Sequence, residues 1–369
     1  MLLDATSIPP NRGGVARYVS GLLQGLEELG HTIDVVVKRE DVAWLAGLAP
    51  GHRYRLAPRW TRVRPLRLVW EQLGLPGVVR RAGANVLHSP HYTFPVLLGA
   101  RTVVTLHDAT FFSDPGSHSS VKVAFFRFWT RLARRMASAA VTPSDATARA
   151  LAEHDPRGRV RTVVAHLGVD TAVFAPPGGP ALGRFRAAHG LPDDASWIAF
   201  LGTVEPRKQV PALLRAHAAL TAADPSTPPL LLAGGLGWDE EARRALVAAG
   251  DTVGAPVRHL GYLPVEELAA FLGGSRVVVY PSIAEGFGLP VLEAMACGAA
   301  VLTTPRSAIP EVGGDAVAYA EPEAGAIERG LRELLDDDER RAALGAAAAR
   351  RAAAFTWAAC AAPHLEVYR

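Results

Sequence analysis

Short apolar runs alternate with segments of helical period twice along this chain, and that alternation constrains its fold more than any other feature. Strand candidates in the first half are Met1–Asp4, Thr32–Val37, Asn85–His88, Thr102–His107, Ala139–Pro143 and Val160–Val164. Val15 to Leu29 has the period of a helix, with Val15, Val19, Leu22, Leu23, Leu26 and Leu29 on one face. Ser144 opens another helix, its hydroxyl placed to cap a run ending near His154. The string Ala-Pro-Pro-Gly-Gly-Pro at 175–180 cannot pair in a sheet or continue a helix, so it is read as a linker. The alternation then restarts with Trp197–Gly202, Leu230–Gly234, Val257–Leu260, Val277–Pro281, Ala300–Thr303 and Val317–Ala318, and closes on an alanine-rich helix, Ala342–Ala354. This pattern predicts parallel sheets covered by helices. At 369 residues the chain is expected to form two doubly wound α/β domains, 1–175 and 181–354, facing each other across a cleft. A nucleotide would sit at the carboxyl ends of the strands.

Composition narrows the class. With 49% apolar residues the chain has material for sizeable cores, and its apolar stretches are broken well short of a membrane span. Two cysteines, Cys297 and Cys360, cannot build a disulfide framework or a zinc finger. The opening Met-Leu-Leu-Asp lacks the regions of a signal peptide, so a cytoplasmic protein is expected. The net charge of +3 hides an asymmetry: residues 1–175 hold 22 basic and 13 acidic side chains, leaving 17 and 23 for the rest. Arginine is densest from Arg53 to Arg67, interleaved with Tyr54 and Trp60. That stretch reads as a patch facing an anionic acceptor or membrane surface, or as a solvated arginine-rich surface. No zinc-finger spacing, RNP motif or heptad-bearing basic region supports a nucleic-acid partner. The stripe Val121–Met136, with Phe125, Phe126, Phe128 and Trp129 among arginines, is read as a core helix with a basic outer face, the alternative being a membrane-surface helix.

Two stretches carry chemistry. In Tyr280–Gly298 a strand ends at Pro281, a glycine-bearing loop follows, and Pro290 sits where a first helical turn belongs. Gly286 and Gly288 let backbone amides approach a ligand closely, and the helix that follows points its positive end at the same place, which suits a diphosphate. Glu285 lies in the loop and Glu293 in the helix; carboxylates there suit paired hydroxyls, a sugar on one side and a ribose on the other. The second stretch is Gly202-Thr203-Val204-Glu205-Pro206-Arg207-Lys208-Gln209, directly after a strand. Its Arg207 and Lys208 can neutralise a diphosphate without a metal, through a guanidinium fork and an ammonium point charge.

These motifs, in this order, resemble those of the retaining glycosyltransferases of family 4, whose GT-B fold is built from two facing Rossmann-like domains. The Glu285–Glu293 pair looks like their Glu-x7-Glu motif. Gly13-Gly14-Val15-Ala16-Arg17-Tyr18, Thr105-Leu106-His107-Asp108, Thr142-Pro143-Ser144 and Leu167-Gly168-Val169-Asp170 follow in family order. The resemblance implies that Glu285 contacts the transferred sugar and Glu293 the ribose hydroxyls. Arg207 and Lys208 would hold the diphosphate and stabilise the leaving group. The amides of Gly286, Phe287, Gly288 and Leu289 would assist, Tyr262 and Leu263 would line the base pocket, and Gly13-Gly14 would approach the diphosphate from the other domain. His107 would face the sugar near the reacting carbon, with Asp108 orienting it or touching the acceptor. Phe355–Arg369 would cross back to the first domain.

The implied reaction is retaining transfer of a hexose, with mannose from GDP-mannose as the reading adopted, to a hydroxyl of a glycan, glycolipid or small molecule. No metal or other cofactor is expected, and the partners implied are a nucleotide-sugar donor, a glycan or lipid-linked acceptor and an anionic membrane touched peripherally. A nucleotide-sugar 2-epimerase and an inactive glycan-binding scaffold are the alternatives. A dehydrogenase is disfavoured because Met1–Asp4 leads into Ser7-Ile8-Pro9-Pro10 without Gly-x-Gly-x-x-Gly, and Gly234-Gly235-Leu236-Gly237 lacks the right spacing. Asp336-Asp337-Asp338 is read as a solvated run on a polar helix. The sequence departs from the family at Gln209, where many relatives have Asn, at Ala16, where many have Gly, and in a first strand of about four residues, which suggests either a start lying upstream or a trimmed edge.

Overall fold

The computed structural model describes residues 1–10, 12–249 and 254–369. The chain divides into two units, one formed by Met1–Gly168 with Phe355–Arg369 and the other by Val169–Ala354.

The first unit is built on seven strands: β1 (Leu2–Asp4), β2 (Asp34–Val37), β3 (Arg53–Leu56), β4 (Leu87–Ser89), β5 (Thr102–Thr105), β6 (Ala139–Thr142) and β7 (Arg161–Val164). They pair in the order β3-β2-β1-β4-β5-β6-β7, all parallel. The second unit has β8 (Ile198–Leu201), β9 (Leu230–Ala233), β10 (Val257–Gly261), β11 (Val277–Tyr280), β12 (Val301–Thr303) and β13 (Ala318–Tyr319). Their order is β10-β9-β8-β11-β12-β13, again all parallel. Both sheets are therefore doubly wound, and the strand order reverses once in each, between β1 and β4 and between β8 and β11. In folds of this kind ligands bind beyond the carboxyl ends of the strands at such a reversal.

Several local expectations are corrected. β1 is not a trimmed edge: it lies inside the sheet, paired with β2 and β4. β4 begins two residues later than the sequence suggested, and β5 stops at Thr105. The segment Arg53–Leu56 is an edge strand, hidden from a pattern reading by its arginines. Arg53 and Arg55 point to the same side, two residues apart, and both grip the buried Asp34 of β2, at 3.0 and 2.8 Å. Arg62 pairs with Glu40 and Arg67 with Glu71, so the arginine-rich stretch is in large part internal bracing.

The Ala175–Pro180 string is not a free linker. Its prolines Pro176 and Pro177 lie against Gly298 and Gly273 of the second unit, and a helix begins at Gly179 with Pro180 in its first turn, where a missing N–H costs nothing. Asp336-Asp337-Asp338 is a break between helices, Asp337 accepting from the Arg340 amide at 2.8 Å as an N-cap. Ser144 caps the helix Asp145–His154 through the Thr147 amide, at 3.0 Å.

The helix Gly14–Glu28 buries its middle and leaves Leu29 exposed beyond its end. Its residues Tyr18, Gly21 and Gly25 form a stripe against the C-terminal helix Trp357–Val367. A Cβ at Gly25 would lie 2.0 Å from the Trp357 carbonyl oxygen, and one at Gly21 2.0 Å from its indole. Only glycine permits that approach, and it is how the chain's last helix seats on the first unit.

Candidate active site

In the second unit the two chemistry-bearing stretches meet because β8 and β11 are neighbours at the strand-order reversal. The loop after β8 carries Glu205, Arg207 and Lys208; the loop after β11 carries Ser282 and Glu285. Backbone bonds stitch them: the Ile283 amide donates to the Arg207 carbonyl at 2.8 Å. The Arg207 guanidinium then reaches across both, donating from Nε to Glu205 at 2.8 Å and from Nη1 to the Ala284 carbonyl at 2.7 Å, and pairing with Glu285.

Glu285 is held from three further directions. Its Oε1 accepts from the Tyr280 hydroxyl at 2.8 Å and from Ser282 Oγ at 2.9 Å, and Ser307 Oγ donates to its carbonyl at 2.7 Å. Burial pushes the Glu285 carboxyl towards its neutral form, but the Arg207 and Lys208 charges and the hydrogen bonds from Tyr280 and Ser282 outweigh it, so the pKa lies below the ordinary glutamate value. Lys208 is only 6% exposed, its ammonium 5.6 Å from the centre of the Tyr280 ring. Burial lowers its pKa, opposed by the Glu285 charge. Two cations and two carboxylates are thus packed where an incoming anion would tip the balance towards fully charged Lys208.

The helix Leu289–Ala296 starts at this cluster. Gly288 precedes it with φ +109°, a conformation other residues avoid, and a Cβ there would meet Ile309 Cδ1 at 2.8 Å. Glu293 is 1% exposed and one turn before Cys297, whose thiol burial and the Glu293 charge raise to about 12. Phe287 is buried, while Leu289 is half-buried at the helix start. Tyr262 and Leu263 follow β10, two strands away on the same row of carboxyl ends, with the Tyr262 hydroxyl lying against Gly235.

The remaining candidates belong to the first unit. Gly13 is the N-cap of Gly14–Glu28, and a side chain at Gly14 would meet nothing within 4 Å. His107 follows β5; its Nε2 donates to the Pro90 carbonyl at 2.6 Å, and its ring is edge-on to Tyr18 at 5.0 Å. Burial lowers the His107 pKa against the pull of Pro90 and Asp108, so the ring is neutral with Nδ1 as its acceptor nitrogen. Asp108 is committed locally: its Oδ1 accepts from the Thr110 amide at 3.0 Å and hydroxyl at 2.7 Å, holding the turn that follows.

Pattern reasoning missed Tyr280, Ser282, Ser307 and Glu205, although three of them stand within or beside the motifs. Nothing in the spacing marks a hydroxyl as a carboxylate's partner until the two loops are paired.

Two Rossmann-like units, each built on a parallel, doubly wound sheet, are the architecture of the GT-B glycosyltransferases. The family model "Glycosyl transferases group 1" matches residues 183–351, and "Glycosyltransferase Family 4" matches residues 12–173. The chain is 31% identical over 288 residues to the O-antigen chain mannosyltransferase B of Escherichia coli, covering 77% of this chain and 74% of that protein. It is 36% identical over 175 residues to the D-inositol 3-phosphate glycosyltransferase of Mycolicibacterium smegmatis, covering 47% of this chain and 37% of that one. Among solved structures, sucrose-phosphate synthase from Thermosynechococcus elongatus superposes with a TM-score of 0.76 at 19% identity, over 100% of this chain and 98% of that one. Anabaena HepE, solved in complex with UDP and glucose, gives 0.75 at 18%, over 99% and 98%. The chain belongs to glycosyltransferase family 4, and it is a hexosyltransferase of GT-B fold.

Proposed function

We propose that the enzyme takes a hexose, mannose from GDP-mannose, from a nucleoside diphosphate sugar and transfers it with retention, without a metal, to a hydroxyl of a glycan or lipid-linked acceptor. The observation that carries this is the Arg207–Glu285–Lys208 cluster at the joined ends of β8 and β11. Likeness to a mannosyltransferase supports the choice of sugar.

In this reading the diphosphate sits against Lys208, Arg207 and the start of Leu289–Ala296. Glu285, held ionised and immobile, accepts from sugar hydroxyls, Glu293 serves the ribose, and Tyr262 and Leu263 flank the base. The anomeric C–O bond breaks and charge builds on the β-phosphate, where Lys208 and Arg207 are already aimed. The acceptor oxygen bonds to the anomeric carbon from the face the phosphate leaves, and the hydroxyl proton passes to a phosphate oxygen. His107, neutral, offers Nδ1 to a sugar hydroxyl.

A donor screen with GDP-, UDP-, ADP- and dTDP-sugars tests this, following thermal stabilisation and nucleotide release with and without EDTA. The reading predicts one preferred donor, turnover that survives EDTA, and loss of both signals in Lys208→Ala. An altered nucleotide sugar with no glycosylated product would make the enzyme an epimerase. Folded protein that answers to no donor would leave a glycan-binding scaffold.

A further inference from the structure

The turn that carries His107 is held by the loop after β4, which lies beside it because β4 and β5 are neighbours. That loop bends at Tyr92, whose φ of +51° is a conformation that bulky side chains rarely hold. The bend is tight enough for the Thr93 amide to reach back to the His91 carbonyl at 2.5 Å. Such a backbone persists only where the surrounding structure over-determines it. Here the Tyr92 ring is 2% exposed, edge-on to Phe126 at 4.9 Å and to Phe111 at 6.0 Å.

The polar atoms of Tyr92 converge on the residues around His107. Its amide donates to the Thr105 carbonyl at 3.1 Å, which continues the pairing of β4 with β5 past the ends of both strands. Its hydroxyl accepts from the Asp108 amide at 3.0 Å and donates to the Asp108 carbonyl at 3.2 Å. Two residues earlier, the Pro90 carbonyl accepts from His107 Nε2 at 2.6 Å. The backbone on both sides of His107, and its ring, are thus tied to one short loop. With Nε2 committed to Pro90, Nδ1 is the nitrogen left to accept, and its aim depends on how firmly the turn is held. Phenylalanine would fill the same aromatic pocket; what it lacks is the hydroxyl that spans Asp108. A tyrosine serving the core alone would need neither that span nor a left-handed backbone.

We propose that Tyr92 is a positioning residue for His107: its hydroxyl and its left-handed turn fix the tautomer and the aim of the imidazole. That His107 meets the sugar rests on the function proposed above; that Tyr92 holds it does not. Nitrogen–proton correlation spectra of the full chain, with His107→Ala to assign the signal, test the hold directly. The parent should show one form of His107, protonated at Nε2, and Tyr92→Phe should show both tautomers in exchange. Tyr54→Phe is the control, since it removes a hydroxyl bonded to the Leu45 and Ala49 carbonyls in the edge strand β3; it should leave the signal unchanged. Nucleotide release from the sugar donor that the screen selects gives the second readout. Tyr92→Phe should lower kcat by roughly tenfold or more, with the donor KM within about twofold of the parent's. It should add nothing to the loss in His107→Ala. A Tyr92→Phe protein that keeps the single Nε2-protonated form, or whose kcat loss adds in full to that of His107→Ala, would overturn the proposal. A parent-like rate in His107→Ala, with exchanging tautomers in Tyr92→Phe, would keep the positioning and remove His107 from the reaction.

Discussion

The Tyr18 hydroxyl and His364 Nε2 lie 2.7 Å apart, although 346 residues separate them in the chain. They are the middle of a buried relay whose direction follows from its last acceptor. His364 Nδ1 faces the Cys360 carbonyl at 2.8 Å and must donate to it, so Nε2 accepts from Tyr18. Tyr18 then accepts from Thr105 Oγ1, Thr105 from His88 Nε2, and His88 Nδ1 from the Tyr368 hydroxyl, each at 2.8 Å. Every member has one assignable role, and the last helix is tied by it to β4, β5 and the first helix.

Tyr18→Phe should therefore cost about 1–3 kcal/mol, because it leaves the buried acceptor of His364 and the donor of Thr105 unmatched. Calorimetry should show a lowered midpoint. His364→Leu, which breaks the same relay, should add little on top of it in the double variant. Additive losses would show that the groups act independently.

Gly25→Ala should loosen the C-terminal helix, since its Cβ would meet the Trp357 carbonyl, which is backbone and cannot rotate away. A cost of about 1–3 kcal/mol is expected from such overpacking. Limited proteolysis should release the segment after Ala354 faster than in the parent. Gly14→Ala, where the added Cβ meets nothing, is the control.

Acid should destabilise the first unit well before ordinary carboxylates titrate. Burial holds His364 at about 4 and His91 at about 3, and lowers His88 and His107 as well. The unfolded chain binds those protons near pH 6.5, so stability is complete above that value and falls as pH drops, until each folded pKa is passed. Each histidine contributes at most ~1.4 kcal/mol per pH unit. Glu71, raised by burial, works the other way over its own range. Denaturant titrations across about pH 7.5 to 4.5 should show this slope, shallower in His364→Gln. A flat profile would contradict the neutral relay.

Glu285→Gln should hurt in two ways. Removing the carboxylate strips Arg207 and Lys208 of a buried counter-charge, costing about 3 kcal/mol of stability, and it lowers the Lys208 pKa further. Nucleotide release should fall by roughly a hundredfold or more, with its alkaline limb moved to lower pH. A variant that releases nucleotide at the parent's rate would remove Glu285 from the chemistry.

The two sheets were legible in the sequence because strands buried on both faces need near-continuous apolar runs, and helical crossovers need a 3.6 period; both are local. So were the Glu285 loop and the Arg207-Lys208 pair, since each follows a strand directly. β3 was not, because its edge position tolerates arginines whose shared partner, Asp34, lies nineteen and twenty-one residues away. Tertiary structure alone decided that β8 and β11 are neighbours, which turns two motifs into one cluster and recruits Tyr280, Ser282 and Ser307 to it. It alone brought Tyr18 to His364, and the Tyr92 hydroxyl to Asp108. Pairing and burial join residues that no periodicity links: the sequence specifies each element by its near neighbours, while the site depends on which elements become adjacent.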